Sequence, residues 1–423
     1  MPVARGRFVM QFKRAFLLVA AIMPSLVCAT ATAHEPGRDL LFAWASDVDR
    51  KDSDFLAVVD LRTNQVIRTV PVGQAGTMAH HTDYEMPGDG TLIANDFYGN
   101  RSWLFDLSNP QAPKIRWTVA DAGRLSFAHS FARLPNGNIV ATFQRGDHAD
   151  QLPGGIAEFT TNCRLLRWSS AVDPQSREYV RPYSLAVVPK LDRIVTTTAD
   201  MGATMPNMPN MPNMPNMPKM GSMDTKPAAK SPASRTVQLW RLSDLKLMQT
   251  LVLPAGPSGT EQFNPNEPRL LADGRTVMVG TGNCGLFRLH GLDSARATAE
   301  FVYGLGLKNC AVPVVAGHFW IIAVGSLPGL VAIDISAPSR AREVSRLMLD
   351  ADSMPHWISL APDGRRIAIT GFKSMRSKIL LATVDPLSGK LALTGSIDFA
   401  GQTWPHGSTH AAMPHGVVFA RHR

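Results

Sequence analysis

The sequence predicts an all-β fold, namely a seven-bladed β-propeller whose ring is closed by pairing of N-terminal and C-terminal strands. Three observations lead to this prediction. A hairpin-turn signal recurs along the chain ahead of β-branched runs, a second strand-like run follows each signal, and helical periodicity is almost absent. The repeats lie roughly 45–55 residues apart once one insertion is removed, which suits four-stranded propeller blades.

Asp-Gly and Asn-Gly dipeptides mark the first hairpin of the predicted blades, because glycine tolerates the positive φ of a tight turn. Clear copies are Asp89-Gly90, Asn136-Gly137, Asp273-Gly274 and Asp363-Gly364, and weaker copies lie at residues 190–195 and 316–320. The strand-like runs that follow are residues 103–107, 156–159, 237–242, 285–289, 330–335 and 379–384. These copies account for six complete blades after Ala79.

The seventh blade is predicted to be split between the two ends of the chain. Residues 414–419 supply its inner strand, and residues 40–44, 55–60 and 66–70 supply the other three. Pairing between them joins the ends of the ring and leaves no free sheet edge between the first and last blades.

The N-terminus has the features of a secretory signal peptide at residues 1–33. Four basic residues (Arg5, Arg7, Lys13 and Arg14) precede the apolar residues 15–29, and the small residues of Ala31-Thr32-Ala33 form a cleavage site. A lipoprotein reading at Cys28 is the alternative. We therefore expect residues 34–423 to form a single propeller domain, periplasmic or secreted. No second apolar stretch is long enough for a membrane span, so no membrane insertion is expected after cleavage.

Charge and cysteine content narrow the function only slightly. The formal net charge of +9 is spread along the chain outside the basic leader, which argues against nucleic acid as a partner. After cleavage, Cys163, Cys284 and Cys310 remain, and this odd number leaves at least one free thiol or metal ligand.

The start of each innermost strand can be aligned by counting back from the turn signal. His81, His129 and His356 each lie six residues before a proline, and His415 follows the same Met-Pro dipeptide as His356. The seven aligned positions, one for each blade, are His81, His129, Tyr183, Asn266, Asn309, His356 and His415. The four histidines are contiguous around the ring, so their imidazoles are expected to converge at one mouth of the channel.

These residues form a candidate metal site, since imidazole binds copper, zinc, iron and nickel. The predicted ligands are His80, His81, His129, His356 and His415, with His406, His410 and Cys310 as secondary candidates. Asp83 and Glu267 are candidates for supporting the ligands or for acting as bases. The alternative is a purely structural role, in which the histidines pack and form hydrogen bonds near the channel rim.

A methionine- and proline-rich insertion at about residues 201–234 interrupts one blade between its second and third strands, and it is predicted to be disordered. Thioethers select Cu(I), so the insertion is a candidate for soft-metal capture. Its regularly spaced methionines are Met205, Met208, Met211, Met214, Met217 and Met220. Propeller topology places this loop on the same face as the histidines. The alternative is an inert linker.

Several segments resemble the selenium-binding protein / methanethiol oxidase family, and the blade pattern is similar to YVTN-type propellers more broadly. The resemblance is carried by the His80-His81 pair and by residues 129–142, 154–159, 237–242 and 251–254. It implies copper-dependent oxidation of a small thiol, with His80, His81 and His129 carried over as ligands. The sequence departs from the family pattern at Thr82-Asp83-Tyr84, at Ala132 and at residues 264–269, so the resemblance implies a small thiol without specifying methanethiol.

Two functional hypotheses follow. The first is an exported copper-binding propeller that acts as a copper-dependent oxidase of small sulfur compounds entering at the histidine face. The second is a non-enzymatic propeller, either a periplasmic copper carrier or a scaffold that offers this face to a protein partner. The sequence contains no GxSxG elbow, HExxH motif or P-loop that would favour other chemistry.

Overall fold

The computed structural model describes residues 39–96, 99–147, 149–176, 178, 180–199, 234–294 and 296–421, without the side chains of 149–152. The predicted signal peptide lies outside the described residues, as do all six of the regularly spaced methionines. No helix within the described ranges is long and apolar enough to cross a membrane.

The described strands form seven four-stranded antiparallel sheets, each a propeller blade. The first strand of each blade is the innermost, because these strands contact one another around the ring. They are β4 (Ala79–Thr82), β8 (Leu125–Arg133), β12 (Pro182–Val188), β16 (Pro265–Leu270), β20 (Cys310–Ala316), β24 (Ser353–Leu360) and β28 (Ala412–Phe419). We number the blades 1 to 7 in that order.

The remaining strands run outward through each sheet. The second strands are β5 (Thr91–Asp96), β9 (Ile139–Gly146), β13 (Arg193–Thr198), β17 (Val277–Thr281), β21 (Phe319–Val324), β25 (Arg366–Lys373) and β1 (Leu40–Asp47). The third strands are β6 (Arg101–Asp106), β10 (Ala149–Phe159), β14 (Thr236–Arg241), β18 (Gly285–His290), β22 (Gly329–Asp334), β26 (Lys378–Val384) and β2 (Ser53–Asp60). The outermost strands are β7 (Lys114–Val119), β11 (Leu165–Ser170), β15 (Leu247–Val252), β19 (Thr298–Gly304), β23 (Arg342–Met348), β27 (Leu391–Asp398) and β3 (Gln65–Ala75). Short 3-10 turns lie at Pro189–Leu191 and Pro338–Arg340.

The predicted ring closure is confirmed. In blade 7 the C-terminal strand β28 pairs with the N-terminal strand β1, with Leu41 opposite Phe419 and Asp47 opposite Ala412. Strand β28 also contacts β24 of blade 6 and β4 of blade 1, which completes the circle. The predicted fold class, a seven-bladed propeller joined at its termini, is therefore correct.

The recurring turn signals connect the first and second strands of the blades, as expected. Gly137 and Gly364 both have positive φ, 83° and 69°, which a β-carbon would make unfavourable. The preceding Asn or Asp holds the turn: Oδ1 of Asp363 accepts hydrogen bonds from the amides of Arg365 and Arg366. The methionine-rich insertion falls between β13 and β14, the second and third strands of blade 3.

Apolar side chains fill the spaces between neighbouring blades. Each of the seven hydrophobic clusters in the described residues is made up mainly of residues from two adjacent blades. Trp44 of blade 7, for example, packs against Trp103 of blade 1, with ring centroids 5.4 Å apart. The core is therefore a ring of interfaces, and the innermost strands can carry polar side chains toward the channel.

Candidate functional site

Four neighbouring innermost strands bring five histidines together. His80 and His81 lie on β4, His129 on β8, His356 on β24 and His415 on β28. We call these residues the histidine cluster. They belong to blades 6, 7, 1 and 2, which are contiguous around the ring.

The innermost strands share a local irregularity at the level of the cluster. The pairing register of each shifts there, for example between Ala79 and Thr82 in β4 and between Pro355 and Trp357 in β24. Equivalent shifts occur in the other five innermost strands. A bulge redirects side chains that would otherwise alternate between faces. This explains how the consecutive residues His80 and His81 both reach the cluster.

The imidazoles are in contact with one another. The rings of His80 and His81 are stacked, with centroids 3.9 Å apart and an interplanar angle of 6°. The His129 ring lies 4.5 Å from that of His81, and the His415 ring lies 4.8 Å from that of His80. The His356 ring lies 5.0 Å from that of His415.

Burial keeps these imidazoles neutral. His80, His81, His129 and His415 are at most 1% exposed, and His356 is half-buried. Desolvation lowers the pKa of His129 to about 3, partly opposed by a hydrogen bond with the backbone of Tyr183, and it lowers the pKa of His356 to about 4. Burial, reinforced by neighbouring imidazoles, holds the pKa values of the other three far below the usual value. Neutral imidazole is the form that binds a metal ion.

The side-chain atoms of three members fit the requirements of a metal site. One ring nitrogen from each of His80, His81 and His415 lies within 4.8 Å of the others. Nδ1 of His415 donates a hydrogen bond to the carbonyl oxygen of His80 at 2.8 Å, so its lone pair is on Nε2. The Nε2 atoms of His81, His356 and His415 are buried and have no hydrogen-bond partner among the described residues. The group could therefore bind a metal ion.

A layer of hydrogen-bonding side chains lies beside the cluster and meets at the hydroxyl of Tyr84, in the loop after β4. Tyr84 Oη is 3.0 Å from Oγ of Ser130, 3.0 Å from Oγ of Ser184 and 3.2 Å from Oε1 of Glu267. Oγ of Ser130 is in turn 2.9 Å from Nδ1 of His129 and 3.4 Å from Nδ1 of His81. This layer connects Glu267 with the histidine cluster.

The ring of Tyr84 is held on both faces. The Trp357 ring stacks on it at 5.1 Å with an interplanar angle of 7°, and the Arg269 guanidinium lies 4.1 Å from its centroid. Trp357 also contacts His81, with centroids 4.7 Å apart. Burial raises the pKa of Tyr84, and Glu267 raises it further, so the hydroxyl keeps its proton at neutral pH.

Of this layer only Glu267 is predicted from the sequence, although the sequence contains a signal for other members. Ser130, Ser184, Glu267 and Trp357 each occupy the position directly after an aligned ring residue. In these four blades, the position after the bulge contributes a side chain to the layer beside the aligned residues. Tyr84 lies in a loop and has no equivalent in that alignment, so spacing alone could not identify it.

Of the two carboxylates predicted to support the ligands, Glu267 lies in the layer around Tyr84 and Asp83 does not. Glu267 is fully buried in the layer around Tyr84. The carboxylate of Asp83 instead forms an ion pair with Arg133, 3.1 Å from Nη2, and accepts a hydrogen bond from the amide of Ile93.

The three secondary candidates have other partners. Nδ1 of His406 is 2.8 Å from Oγ1 of Thr69, and Nδ1 of His410 is 3.1 Å from a carboxylate oxygen of Asp52. Cys310 forms a disulfide with Cys284, so the expectation that it serves as a thiolate ligand is wrong, because its sulfur is already bonded. Cys163 is the free cysteine within the described part of the chain.

The fold and the site together define a seven-bladed propeller with a buried histidine group. No family model matches the chain, and no curated protein matches it. Among solved structures, the chain is similar to a hypothetical selenium-binding protein from Sulfolobus tokodaii, with 15% identity, a TM-score of 0.71 and coverage of 90% of this chain and 94% of that one. It is also similar to the periplasmic gluconolactonase of Pseudomonas aeruginosa, with 12% identity, a TM-score of 0.62 and coverage of 91% and 99%.

These similarities confirm the structural resemblance to a selenium-binding protein and extend it to lactonase-type seven-bladed propellers. At such low identity they establish the fold, and propellers host unrelated chemistry. The functional argument therefore depends on the histidine cluster and its surroundings.

Proposed function

We propose that the protein is a copper-binding propeller in which the histidine cluster holds the metal. The observation that carries this proposal is the convergence of five neutral imidazoles, four of them fully buried, on adjacent innermost strands. Burying this many polar rings together is unfavourable unless their nitrogen atoms find partners. A bound cation would supply a partner for the buried Nε2 atoms of His81, His356 and His415.

The donor set favours copper over the other metals that bind imidazole. Cysteine thiolates are absent from the described cluster, and the nearby carboxylates of Asp83 and Glu267 are engaged by Arg133 and Arg269. For a given set of nitrogen ligands, affinity among divalent ions rises to a maximum at copper. Magnesium, calcium and manganese prefer oxygen ligands, which this cluster lacks.

Depth of burial supports a resident metal over a carrier. A carrier must release its ion to a partner, which is easier from exposed ligands. Here His356 is the half-buried member, and the other four are enclosed by the innermost strands. A small molecule would reach the cluster most directly on the His356 side, where Phe372 packs 5.3 Å from the imidazole.

We further propose that the reaction is the oxidation of a small thiol by molecular oxygen. Copper, when bound, supplies the one-electron chemistry that such a reaction needs. The sequence resemblance to the selenium-binding protein / methanethiol oxidase family supports the substrate class, and the structural similarity to a selenium-binding protein agrees with that resemblance in fold. The residues of this chain would exclude bulk water and hold the ligand imidazoles neutral.

The proposed compartment is the periplasm. Formation of the disulfide between Cys284 and Cys310 fits an oxidising compartment. The gluconolactonase with the similar fold is described as periplasmic. Both observations agree with the signal peptide predicted from the sequence.

Copper binding can be tested with a double variant and a matched control. The full-length protein is loaded with Cu(II), for which the thioethers of the methionine-rich insertion are poor ligands, then dialysed, and its metal content is measured. We expect one copper ion per chain, lost in the His81→Ala/His356→Ala variant and retained in His318→Ala, which removes an exposed histidine outside the cluster. Equal copper content in wild type and double variant, or none in either, would refute the proposal.

The activity is tested separately on loaded protein. Small thiols are added in the presence of oxygen, and hydrogen peroxide and oxygen consumption are measured. Thiol-dependent peroxide formation that disappears in the double variant supports an oxidase. Bound copper without turnover, together with rapid transfer of the ion to a competing protein, would favour the carrier.

A further inference from the structure

The hydroxyl of Tyr84 is the meeting point of residues from blades 2, 3 and 4. Ser130, Ser184 and Glu267 occupy equivalent positions in those blades, and each has a side-chain oxygen within 3.2 Å of Tyr84 Oη. Each of the three hydroxyl groups has one proton to donate, so the direction of one hydrogen bond among these four groups constrains the direction of the next. Their order therefore determines what Ser130 presents to the histidines.

The order begins at Glu267. Its Oε2 accepts hydrogen bonds from Nη1 of Arg269 at 2.8 Å and from Oγ of Ser184 at 2.9 Å. Burial raises the pKa of Glu267, and the Arg269 guanidinium, which can only donate, opposes that rise and favours the carboxylate form. Oε1 of an ionised Glu267 is then an acceptor, so the proton of Tyr84 Oη points toward it.

The next steps follow from counting protons. The single hydroxyl proton of Tyr84 is donated to Glu267, so Oη of Tyr84 accepts a hydrogen bond from Oγ of Ser130. Ser130 has then used its own proton, and its two lone pairs can only accept. The two imidazole nitrogens that face it, Nδ1 of His129 at 2.9 Å and Nδ1 of His81 at 3.4 Å, must therefore carry hydrogen.

We propose that Glu267 and Tyr84 are positioning residues that act through Ser130 to fix the tautomer of His81 and His129, so that Nε2 of each ring keeps its lone pair for the metal. This inference rests on the proposed metal site and adds residues that touch neither metal nor substrate. Ligating histidines commonly need their other nitrogen oriented in this way, and loss of that orientation costs about 10–100-fold in metal affinity.

The packing around Tyr84 fits this role. Trp357 and Arg269 hold the two faces of its ring, so the hydroxyl cannot turn away from Ser130 and Glu267. Arg269 thus has two contacts in the layer, the ring of Tyr84 and the carboxylate of Glu267. Trp357 in turn lies against His81.

The variant Glu267→Gln provides a shape-conserving test. The amide oxygen would face the donors Arg269 and Ser184, which places the amide NH2 toward Tyr84. Tyr84 must then accept from the amide and donate to Ser130, and Ser130 must donate to an imidazole. Each hydrogen bond between residue 267 and the imidazole thus reverses its direction. We therefore expect the proton of His81 to move from Nδ1 to Nε2.

The measurement is nitrogen NMR of the metal-free, full-length protein with labelled histidine, which distinguishes the two tautomers. We expect Nδ1–H at His81 in the wild type and Nε2–H in Glu267→Gln. We expect a mixture of the two tautomers in Tyr84→Phe, because this variant lacks the hydroxyl that links Glu267 to Ser130. His129 should change less, because it also has a hydrogen bond with the backbone of Tyr183. His415 is the internal control, since its Nδ1 donates to a carbonyl oxygen in every variant.

Competition with a chromophoric chelator for Cu(II) supplies the second measurement. We expect Glu267→Gln to bind copper about 10–100-fold more weakly than the wild type. An Nε2–H tautomer at His81 in the wild type, or an unchanged His81 in Glu267→Gln, would overturn the inference even if the protein binds copper. A wild type that binds no copper but shows the expected tautomers would refute the proposed function and leave the tautomer result standing.

Discussion

At the scale of single residues, the histidine cluster depends on the absence of charge. Imidazolium groups with ring centroids 4–5 Å apart would repel one another strongly in a buried environment. The chain avoids this by desolvation, which holds the pKa values of all five histidines below the usual value. The same effect prepares the nitrogen lone pairs for a cation and makes the cluster sensitive to acid.

Acid should therefore destabilise the metal-free protein. The histidines of the unfolded chain become protonated below a pKa of about 6.5. In the folded protein, His356 becomes protonated only below a pKa of about 4 and His129 only below a pKa of about 3, so the unfolded state binds more protons between these values. The contribution of the histidines to stability is fully present above pH 6.5 and is lost as the pH falls, by up to about 1.4 kcal/mol per pH unit for each histidine. Denaturant unfolding between pH 7.5 and 5 measures this slope.

The variant His129→Gln should have a shallower slope over the same pH range, and His318→Ala should not. A wild-type stability that stays constant between pH 7.5 and 5 would contradict the prediction. Bound copper should raise the whole curve without changing its slope near neutral pH, because the folded histidines are unprotonated there with or without the metal.

At the scale of secondary structure elements, the bulges in the innermost strands create the site. Regular alternation would send one of two consecutive residues to the opposite face of the sheet. With the shared register shift, successive residues instead contribute to two neighbouring groups of side chains, the histidine cluster and the layer around Tyr84. The close approach of neighbouring strands at these bulges limits which residues can occupy them.

Gly416 is the clearest case of such a limit. A β-carbon at this position would lie 2.8 Å from the amide nitrogen of Thr82 and 2.9 Å from the carbonyl oxygen of His80, both backbone atoms. Gly416→Ala should push β28 away from β4 and disturb the hydrogen bond between His415 and His80. We expect lower thermal stability and weaker copper binding, measured by calorimetry and chelator competition.

Gly395→Ala is the matched control, because no atom lies within 4 Å of a β-carbon built there. This variant should bind copper as the wild type does. Equal copper affinity in Gly416→Ala and Gly395→Ala would show that the spacing of β28 and β4 does not determine the geometry of the site.

Some of these elements could be predicted from the sequence and others could not. The blades and the histidine ring could be predicted because a local turn signal and a fixed count of residues repeat along the chain. The layer around Tyr84 could not, because it depends on a bulge that changes which side chains face inward and on a loop residue that reaches across blades. The disulfide of Cys310 could not be predicted either, because it joins two cysteines that are 26 residues apart in the sequence.

At the scale of the whole molecule, the two halves of the ring are built differently. Blades 6, 7, 1 and 2 carry the histidines and include the closure by β1 and β28. Blades 4 and 5, outside that arc, are joined by the disulfide between Cys284 and Cys310. We expect the disulfide to stabilise the ring without affecting the site.

The Cys284→Ser/Cys310→Ser variant tests this separation. A cross-link closing a loop of this length stabilises a protein by about 3 kcal/mol, mainly by restricting the unfolded chain. We expect a loss of that order in denaturant unfolding, reproduced by reductant in the wild type, with copper content unchanged. Cys163→Ser controls for the loss of a thiol, and a fall in copper content of the double variant alone would contradict the separation of roles.

The pairing of β28 with β1 has a consequence for the order of events during biogenesis. His415 lies on the last propeller strand to be synthesised, while His80 and His81 lie near the beginning of the ring. A growing or prematurely terminated chain therefore lacks one of the imidazoles that a metal would need, however well its other blades have formed. If the cluster holds a metal as proposed, the complete site would form only once translation has finished and the circle has closed.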